Sequence, residues 1–320
     1  MTMSGRPRLS IGMPVYNGEP FIKEAIDSIL LQDFDDFELV ISDNASTDRT
    51  REIILDYSRR DPRIRYSFNE ENLGAALNYN LVFELSSGLY FKWAPADDVC
   101  APGYFAHCVE ILDRNQDVIL CYPRTIVIDK NGEEIERYSE ELHLQCAKPH
   151  ERYKQLHERF RHLLKCNAVL GLIRASSLRE TRLIGKFTGS DMVLLGELAI
   201  LGKFFEVPEY LFLRRDHPQS SIKAFKLHSR ATWFDPKNTR EYQYTYWKLL
   251  IEQINSVMRS RIGLWEKKSC FTQVCKWALW NKKGLKEEMI VLGLYASRRL
   301  PRFLLAILRL GSKLVKIRQQ

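Results

Sequence analysis

Residues Leu89–Pro102, LYFKWAPADDVCAP, decide how the rest of the chain is read. Leu89 to Trp93 is apolar and aromatic except for Lys92, a pattern that predicts a buried strand. The strand runs into a turn broken by Pro95 that carries Asp97 and Asp98, and Pro102 opens a helix. Two carboxylates at the carboxyl end of a strand occupy the place where open α/β sheets bind ligands. Hard oxygen ligands of this kind suit Mg²⁺ or Mn²⁺, and those ions accompany phosphorylated substrates. Asp is equally a residue of turns and helix caps, so the pair alone fits both readings.

Upstream, Leu9 to Tyr16 (LSIGMPVY) reads as a first strand, followed by the turn signal Asn17-Gly18 and by Pro20 at a helix start. That helix reaches Gln32 with Phe21, Ala25, Ile26, Ile29 and Leu30 on one face. Phe37 to Ser42 is a second strand. It ends in the polar loop Asp43 to Asp48, which can cap a helix over Arg49 to Tyr57. Ile64 to Phe68 is a third strand, and Asn72-Leu73-Gly74 opens a helix to Leu85. Strands and helices alternate, which predicts a mostly parallel α/β sheet with helices on both faces. Neither GxxxxGK[ST] nor GxGxxG after the first strand occurs, which argues against an ordinary dinucleotide-binding domain.

Downstream, a helix is expected to Asn115 and a strand over Val118 to Tyr122. Thr125 to Ile128 with Lys130-Asn131-Gly132 suggests a hairpin arm. Glu140 to His150 reads as loop, Glu151 to Lys165 as a charged amphipathic helix, and Ala168 to Ile173 as a strand. Asp191 to Leu201 is helical, Phe204 to Val207 and Tyr210 to Leu213 are strand-like, and the pattern from Arg240 onward is helical.

The 320 residues can hold one large domain or two modest ones, and 45% hydrophobic with 28% charged residues describes a globular chain. The polar start carries no secretory signal, and no apolar run is long enough for a spanning helix. Seven scattered cysteines form no CxxC pair, which fits a reducing cytoplasm. Net charge is +8, yet Lys267 to Gln320 holds 13 Lys and Arg against 2 Glu. The rest has 35 basic and 38 acidic residues, so most of the chain is not a nucleic-acid-binding surface.

PVYN after the first strand, ISDNASTD, ENLGAALNYN and ADD occur in an order that resembles the family-2 inverting glycosyltransferases of GT-A fold. GSDMVLLGELA and RRDHPQSS resemble that family's acceptor-side segments, so the likeness covers about Leu9 to Ser221. It implies a GT-A-like catalytic domain over 1–225, with 226–320 as a helical, basic C-terminal region. It also implies transfer of a sugar from a nucleotide-diphosphate donor, a UDP-sugar by preference, with a divalent metal (Mn²⁺ or Mg²⁺). On the matching positions Pro14, Val15, Tyr16 and Asn17 would pack on the base, and Asp43 would accept its N–H. Asn72, Gly74 and Asn80 would line the donor side, with helix-start N–H groups near Gly74 for anions. Asp98 would ligate the metal, with Asp97 on the ribose or sharing the metal, and His217 near metal or diphosphate. Arg214 and Arg215 would meet phosphate, with Ser220 and Ser221 as further hydroxyls. Asp191 would be the base that takes the acceptor's proton. In this pattern many relatives have an acid where this chain has Pro95, and many have Arg where it has Tyr79.

Asp43, Asp97, Asp98 and Asp191 also read as turn or cap residues, Tyr16 as core, and His217 as a structural histidine. A sugar nucleotidyltransferase would want a Gly- and Arg-rich loop after the first strand, and PVYNGEP is not one. A nucleotide-sugar-binding protein without catalysis stays compatible with Pro95. In the tail, Trp277, Trp280, Phe303, Leu304, Leu305 and Ile307 alternate with basic clusters. Such helices fit an anionic membrane surface, where a lipid-linked glycan acceptor would lie, or a soluble appendage. The corresponding location is cytoplasmic, peripheral on the inner membrane face.

Overall fold

The computed structural model describes residues 6–161, 166–220, 223, 230–237 and 244–299. Its N-terminal half alternates β1 (Leu9–Val15), α1 (Ile22–Leu30), β2 (Phe37–Asp43), α2 (Thr50–Arg60), β3 (Ile64–Phe68), α3 (Ala75–Glu84) and β4 (Tyr90–Trp93). These strands are parallel neighbours in the order β3-β2-β1-β4. Every residue of β1, β2 and β4 is buried, as expected of parallel strands covered on both faces. Strand alternation sends Tyr90 to one apolar layer with Leu9, Ile11 and Phe105, and Phe91 and Trp93 to the other with Leu194 and Leu198.

Beyond β4 the sheet is mixed rather than mostly parallel. It continues through β8 (Leu172–Arg174), β6 (Val118–Ile128), β9 (Lys203–Arg215) and the short β5 (Val99–Cys100). β8 is antiparallel to both β4 and β6, and β5 to β9, while β6 and β9 are parallel. β7 (Glu134–Tyr138) folds back on β6 as the expected hairpin arm, and Gly132 takes φ +91° in its turn. Short returns of this kind force antiparallel pairing, whereas parallel neighbours need a long crossover.

Two expected strand pairs fuse. Thr125–Ile128 continues Val118–Tyr122 as β6, and Tyr210–Leu213 continues Phe204–Val207 as β9. Pro123 and Pro208 read as strand ends because proline removes a ladder donor. Here the β6–β9 register shifts on either side of Arg124 and pairing resumes. The expected strand from Ala168 starts instead as a 3₁₀ turn, Asn167–Leu170. Its free N–H groups at Asn167 and Ala168 donate to the buried Glu140 carboxylate.

α4 (Tyr104–Arg114), α5 (Pro149–Phe160), α6 (Ala175–Arg179) and α7 (Ser190–Leu201) precede C-terminal helices at Thr245–Arg259, Leu264–Trp280 and Lys282–Arg299. The C-terminal helices are joined to the sheet domain by polar clamps and by core. Arg182 bonds Glu197 of α7 at 2.7 Å, Ser256 Oγ at 2.7 Å and the Glu252 carboxylate. Cys270 and Val274 bury against Tyr153 and Ile200. Trp277, expected on a lipid-facing side, instead packs with Val193 and Leu249. The inner face of that helix is core because α5 and α7 cover it. Phe303, Leu304, Leu305 and Ile307 lie outside the described residues, as do 162–165 and 240–243 of the expected helices. No helix among the described residues is long and apolar enough to cross a membrane.

Candidate active site

The parallel half of the sheet brings Val15, Asp43 and Trp93 to one edge. Val15 pairs with Asp43 in register, and Gly12 with Trp93. β1 has β2 on one side and β4 on the other, so chain connections diverge there, and open α/β sheets bind ligands at the strands' carboxyl ends at such a point.

On the β2 side, Asp43 is buried and its Oδ1 accepts the Ser46 N–H at 3.1 Å. The Asx-turn role foreseen for it is therefore present. Pro14 and Val15 are buried, and the Val15 carbonyl is taken by the Asn44 N–H at 2.8 Å. Tyr16, half exposed, is the ring left at this end. Asn17 laces the two loops: it donates its N–H to Ser46 Oγ and accepts the Thr47 N–H, both at 2.8 Å. An amide ladder then runs towards α3. Asn44 donates to Asn72 Oδ1 at 2.9 Å, Asn69 donates to Asn44 and Asn78 at 3.1 Å, and Asn78 donates to the Ser42 carbonyl at 2.9 Å.

The start of α3 differs from the expected anion cradle. The Leu73 and Gly74 N–H groups donate to Asn44 and Asn72. A Cβ at Gly74 would lie 2.5 Å from the Phe234 carbonyl oxygen, so residues 230–237 cover this turn. Gly74 is required twice over, by that approach and by φ +83°. Asn80, expected on the donor, spends both ends of its amide on the Ile184 backbone at 3.0 Å. It anchors the segment leading to Asp191.

On the β4 side, Asp98 Oδ1 accepts the Arg215 N–H at 2.9 Å. Arg215, expected to meet phosphate, is buried and turned inward. Its guanidinium donates to the carbonyls of Asp97 at 3.0 Å and Asp129 at 3.2 Å, pairs with Glu24 at 2.5 Å, and lies 4.9 Å from the Phe21 ring centre. It fixes the turn that presents the carboxylates. His217 packs on Phe21 at 4.7 Å and sets Nε2 3.0 Å from Asp97 Oδ2. That hydrogen bond raises the His217 pKa above its ordinary value. Burial, reinforced by the charge of Asp97, pushes Asp98 up to about 8. Lys92, the polar interruption in β4, is fully buried and donates to Trp93 O at 3.0 Å and Leu170 O at 2.7 Å.

Asp191 stands in the first turn of α7, after Gly189 at φ +83°. Tyr79, which follows Asn78 on α3, joins it to the ADD turn. Burial raises the Tyr79 phenol, and the charges of Asp97, Asp98 and Asp191 raise it further while Arg214 opposes them. Burial likewise raises the Cys166 thiol, with Asp191 and Glu140 adding to it and Arg214 opposing. Asp97, Asp98, Asp191 and Arg214 thus act on common groups, and the Asn ladder ties the residue before Tyr79 to Ser42, next to Asp43. Tyr79 was noted in the sequence only as a departure from the family's Arg, and Glu140, Cys166 and Asn78 are neighbouring residues that sequence reasoning did not single out. The asparagine density of ENLGAALNYN was the available signal for Asn78.

The donor set suits a cation completed by substrate. Asp98 Oδ1 is held by the backbone, and a buried carboxyl resists ionisation until a cation compensates it. Among the described residues no three His, Cys, Asp or Glu side chains form a cage. Mg²⁺ and its like commonly take one or two carboxylates and draw their remaining ligands from phosphate and water.

The carboxylate pair follows the buried parallel strand β4, and Asp191 lies in the first turn of α7. Residues 10–181 match the sequence profile of glycosyl transferase family 2, and the chain belongs to that family. It is a glycosyltransferase. An uncharacterized glycosyltransferase of Methanocaldococcus jannaschii is 26% identical over 258 residues, 76% of this chain and 85% of that protein. One from Rickettsia prowazekii is 35% identical over 152 residues, spanning 47% of this chain and 43% of that protein. Among solved structures, S. aureus TarS in complex with UDP-GlcNAc superposes with TM-score 0.61 at 15% identity, over 84% of this chain and 71% of that one. The mannosyltransferase PcManGT of Pyrobaculum calidifontis, in complex with GDP-Man and Mn²⁺, gives 0.52 at 18% identity, over 97% and 81%. These likenesses establish a GT-A-like fold.

Proposed function

We propose that the chain moves a sugar from a UDP-sugar to an acceptor hydroxyl with inversion, in the building of a glycan or glycolipid. What supports this reading is that the charges of Asp97, Asp98 and Asp191 all act on the one buried phenol of Tyr79. Donor-side and acceptor-side carboxylates would then share one crevice. Asp43 with Tyr16 and Asn17 would receive the base, in line with the UDP complex of the similar fold; the GDP-Man complex of the other keeps a guanine donor in view. Asp98, with Asp97 and His217, would hold Mn²⁺ or Mg²⁺. A bound cation neutralises the diphosphate's charge. Arg214, whose charge acts on Asp98, Tyr79 and Glu140, would meet phosphate, and Arg215 would position the turn.

Asp191 would accept the proton of the acceptor hydroxyl as its oxygen bonds to the anomeric carbon. The bond from that carbon to the diphosphate oxygen breaks on the opposite side, and its electron pair leaves with the diphosphate. One displacement inverts the centre. Asp191→Asn is expected to keep UDP affinity within about twofold and to cut transfer by at least ~100-fold, read by calorimetry and by UDP release. Transfer at the normal rate would remove Asp191 from the base role.

Contact with an anionic membrane fits the C-terminal helices, where Leu264, Trp265 and Leu279 are exposed beside a basic sequence. The acceptor would then be lipid-linked. Failure to sediment with anionic vesicles would end that part of the reading.

A further inference from the structure

A small cavity lies beneath the first two turns of α7, enclosed by α5 and the helices Thr245–Arg259 and Leu264–Trp280. Its volume is about 20 Å³, and Met192, Val193, Gly196, Leu249 and Trp277 supply an apolar wall. Three further lining residues carry buried polar atoms with no hydrogen-bond partner among the described residues: Tyr153 Oη, His157 Nδ1 and Gln253 Oε1. Each residue is at least nine-tenths buried. Tyr153 and His157 stand one turn apart on α5 with ring centres 4.3 Å apart, and Gln253 faces them from the helix Thr245–Arg259.

We propose that this cavity is a binding site for one ordered water molecule, which joins α5 to the C-terminal helices under the turn that carries Asp191. A cavity needs roughly 10–15 Å³ of this measure to admit a water, and the water needs two to four polar partners. The volume meets the first, and three residues with unpartnered polar atoms line the cavity for the second. The chemistry also balances. Burial keeps His157 neutral by lowering its pKa to about 3, so one tautomer leaves Nδ1 an acceptor. The water then donates one proton to His157 Nδ1 and the other to Gln253 Oε1, and it accepts the Tyr153 hydroxyl proton. That gives three hydrogen bonds, the usual number for a buried water. A dry cavity would leave three unpaired polar groups in the interior, an arrangement native proteins avoid.

A crystal structure of the full chain at a resolution that places waters is the direct test. The expected result is a density peak within hydrogen-bond distance of all three atoms. Empty density, or side chains rotated to bond one another, overturns the proposal. In solution Tyr153→Phe keeps the ring and deletes only the hydroxyl. With the water present, the hydroxyl is a satisfied donor and its loss lowers the melting temperature by a few degrees. In a dry cavity the hydroxyl is an unpaired burden, and the same change raises the melting temperature.

Discussion

Replacing Arg215 by Met removes a guanidinium that is almost wholly buried while roughly keeping the length of the side chain. Its partners set the cost. Glu24 is more than half exposed, so that ion pair contributes at most about 1 kcal/mol. The carbonyls of Asp97 and Asp129 lose a charged donor at 3.0 and 3.2 Å. Each such bond is worth roughly 1.5–3 kcal/mol. A total near 3–7 kcal/mol corresponds to a melting temperature lower by on the order of 10 °C. The Asp97–Asp98 turn loses its brace at the same time, so Mn²⁺-dependent UDP affinity should fall when measured well below the melting point. Arg215→Lys should recover only part of either loss, because an ammonium lacks the fork that reaches several acceptors. Thermal melts and calorimetric titration of both variants suffice. A Met variant that melts within about 2 °C of the parent and binds UDP normally would refute the assignment of Arg215 as the clamp.

The pH dependence of stability carries a separate signature. Folded His157 stays neutral down to about 3, whereas in the unfolded chain it gains a proton below about 6.5. Between those values the unfolded state binds the extra proton, so stability falls as pH drops, by up to about 1.4 kcal/mol per unit from this one group. His157→Gln should flatten that acid limb relative to the parent in urea melts; parallel limbs would contradict it. Asn80→Ala removes both bonds to Ile184 and should cost about 1–3 kcal/mol. It should also speed tryptic cleavage after the exposed Lys186, and unchanged digestion would show that Asn80 is not the anchor of that segment.

The N-terminal half was legible because one physical rule governs it. Parallel strands buried on both faces are continuous apolar runs, and the turns between them are polar and Asx-rich. The ADD turn stood out for the same reason. The mixed half was harder: Pro123 and Pro208 look like strand ends until a neighbouring strand is present to shift register with them. Arg215 and Asn80 show a different limit. A polar residue in a family motif can face the ligand or brace the residue that does, and only the direction of the side chain separates the two. Arg214 and Arg215 are adjacent on one strand and must point to opposite faces, so at most one could meet phosphate. Sequence offered no way to choose between them. Trp277 was read towards lipid because the covering helices α5 and α7 are distant in sequence.

Co-crystallisation with UDP and Mn²⁺ tests the central claim most directly. The account predicts the uracil against Tyr16 and Asp43, the diphosphate and cation against Asp97 and Asp98, and Asp191 facing the same hollow across from the diphosphate. Nucleotide bound away from the carboxyl ends of β1, β2 and β4, or an Asp191 with no opening onto the bound diphosphate, would contradict it.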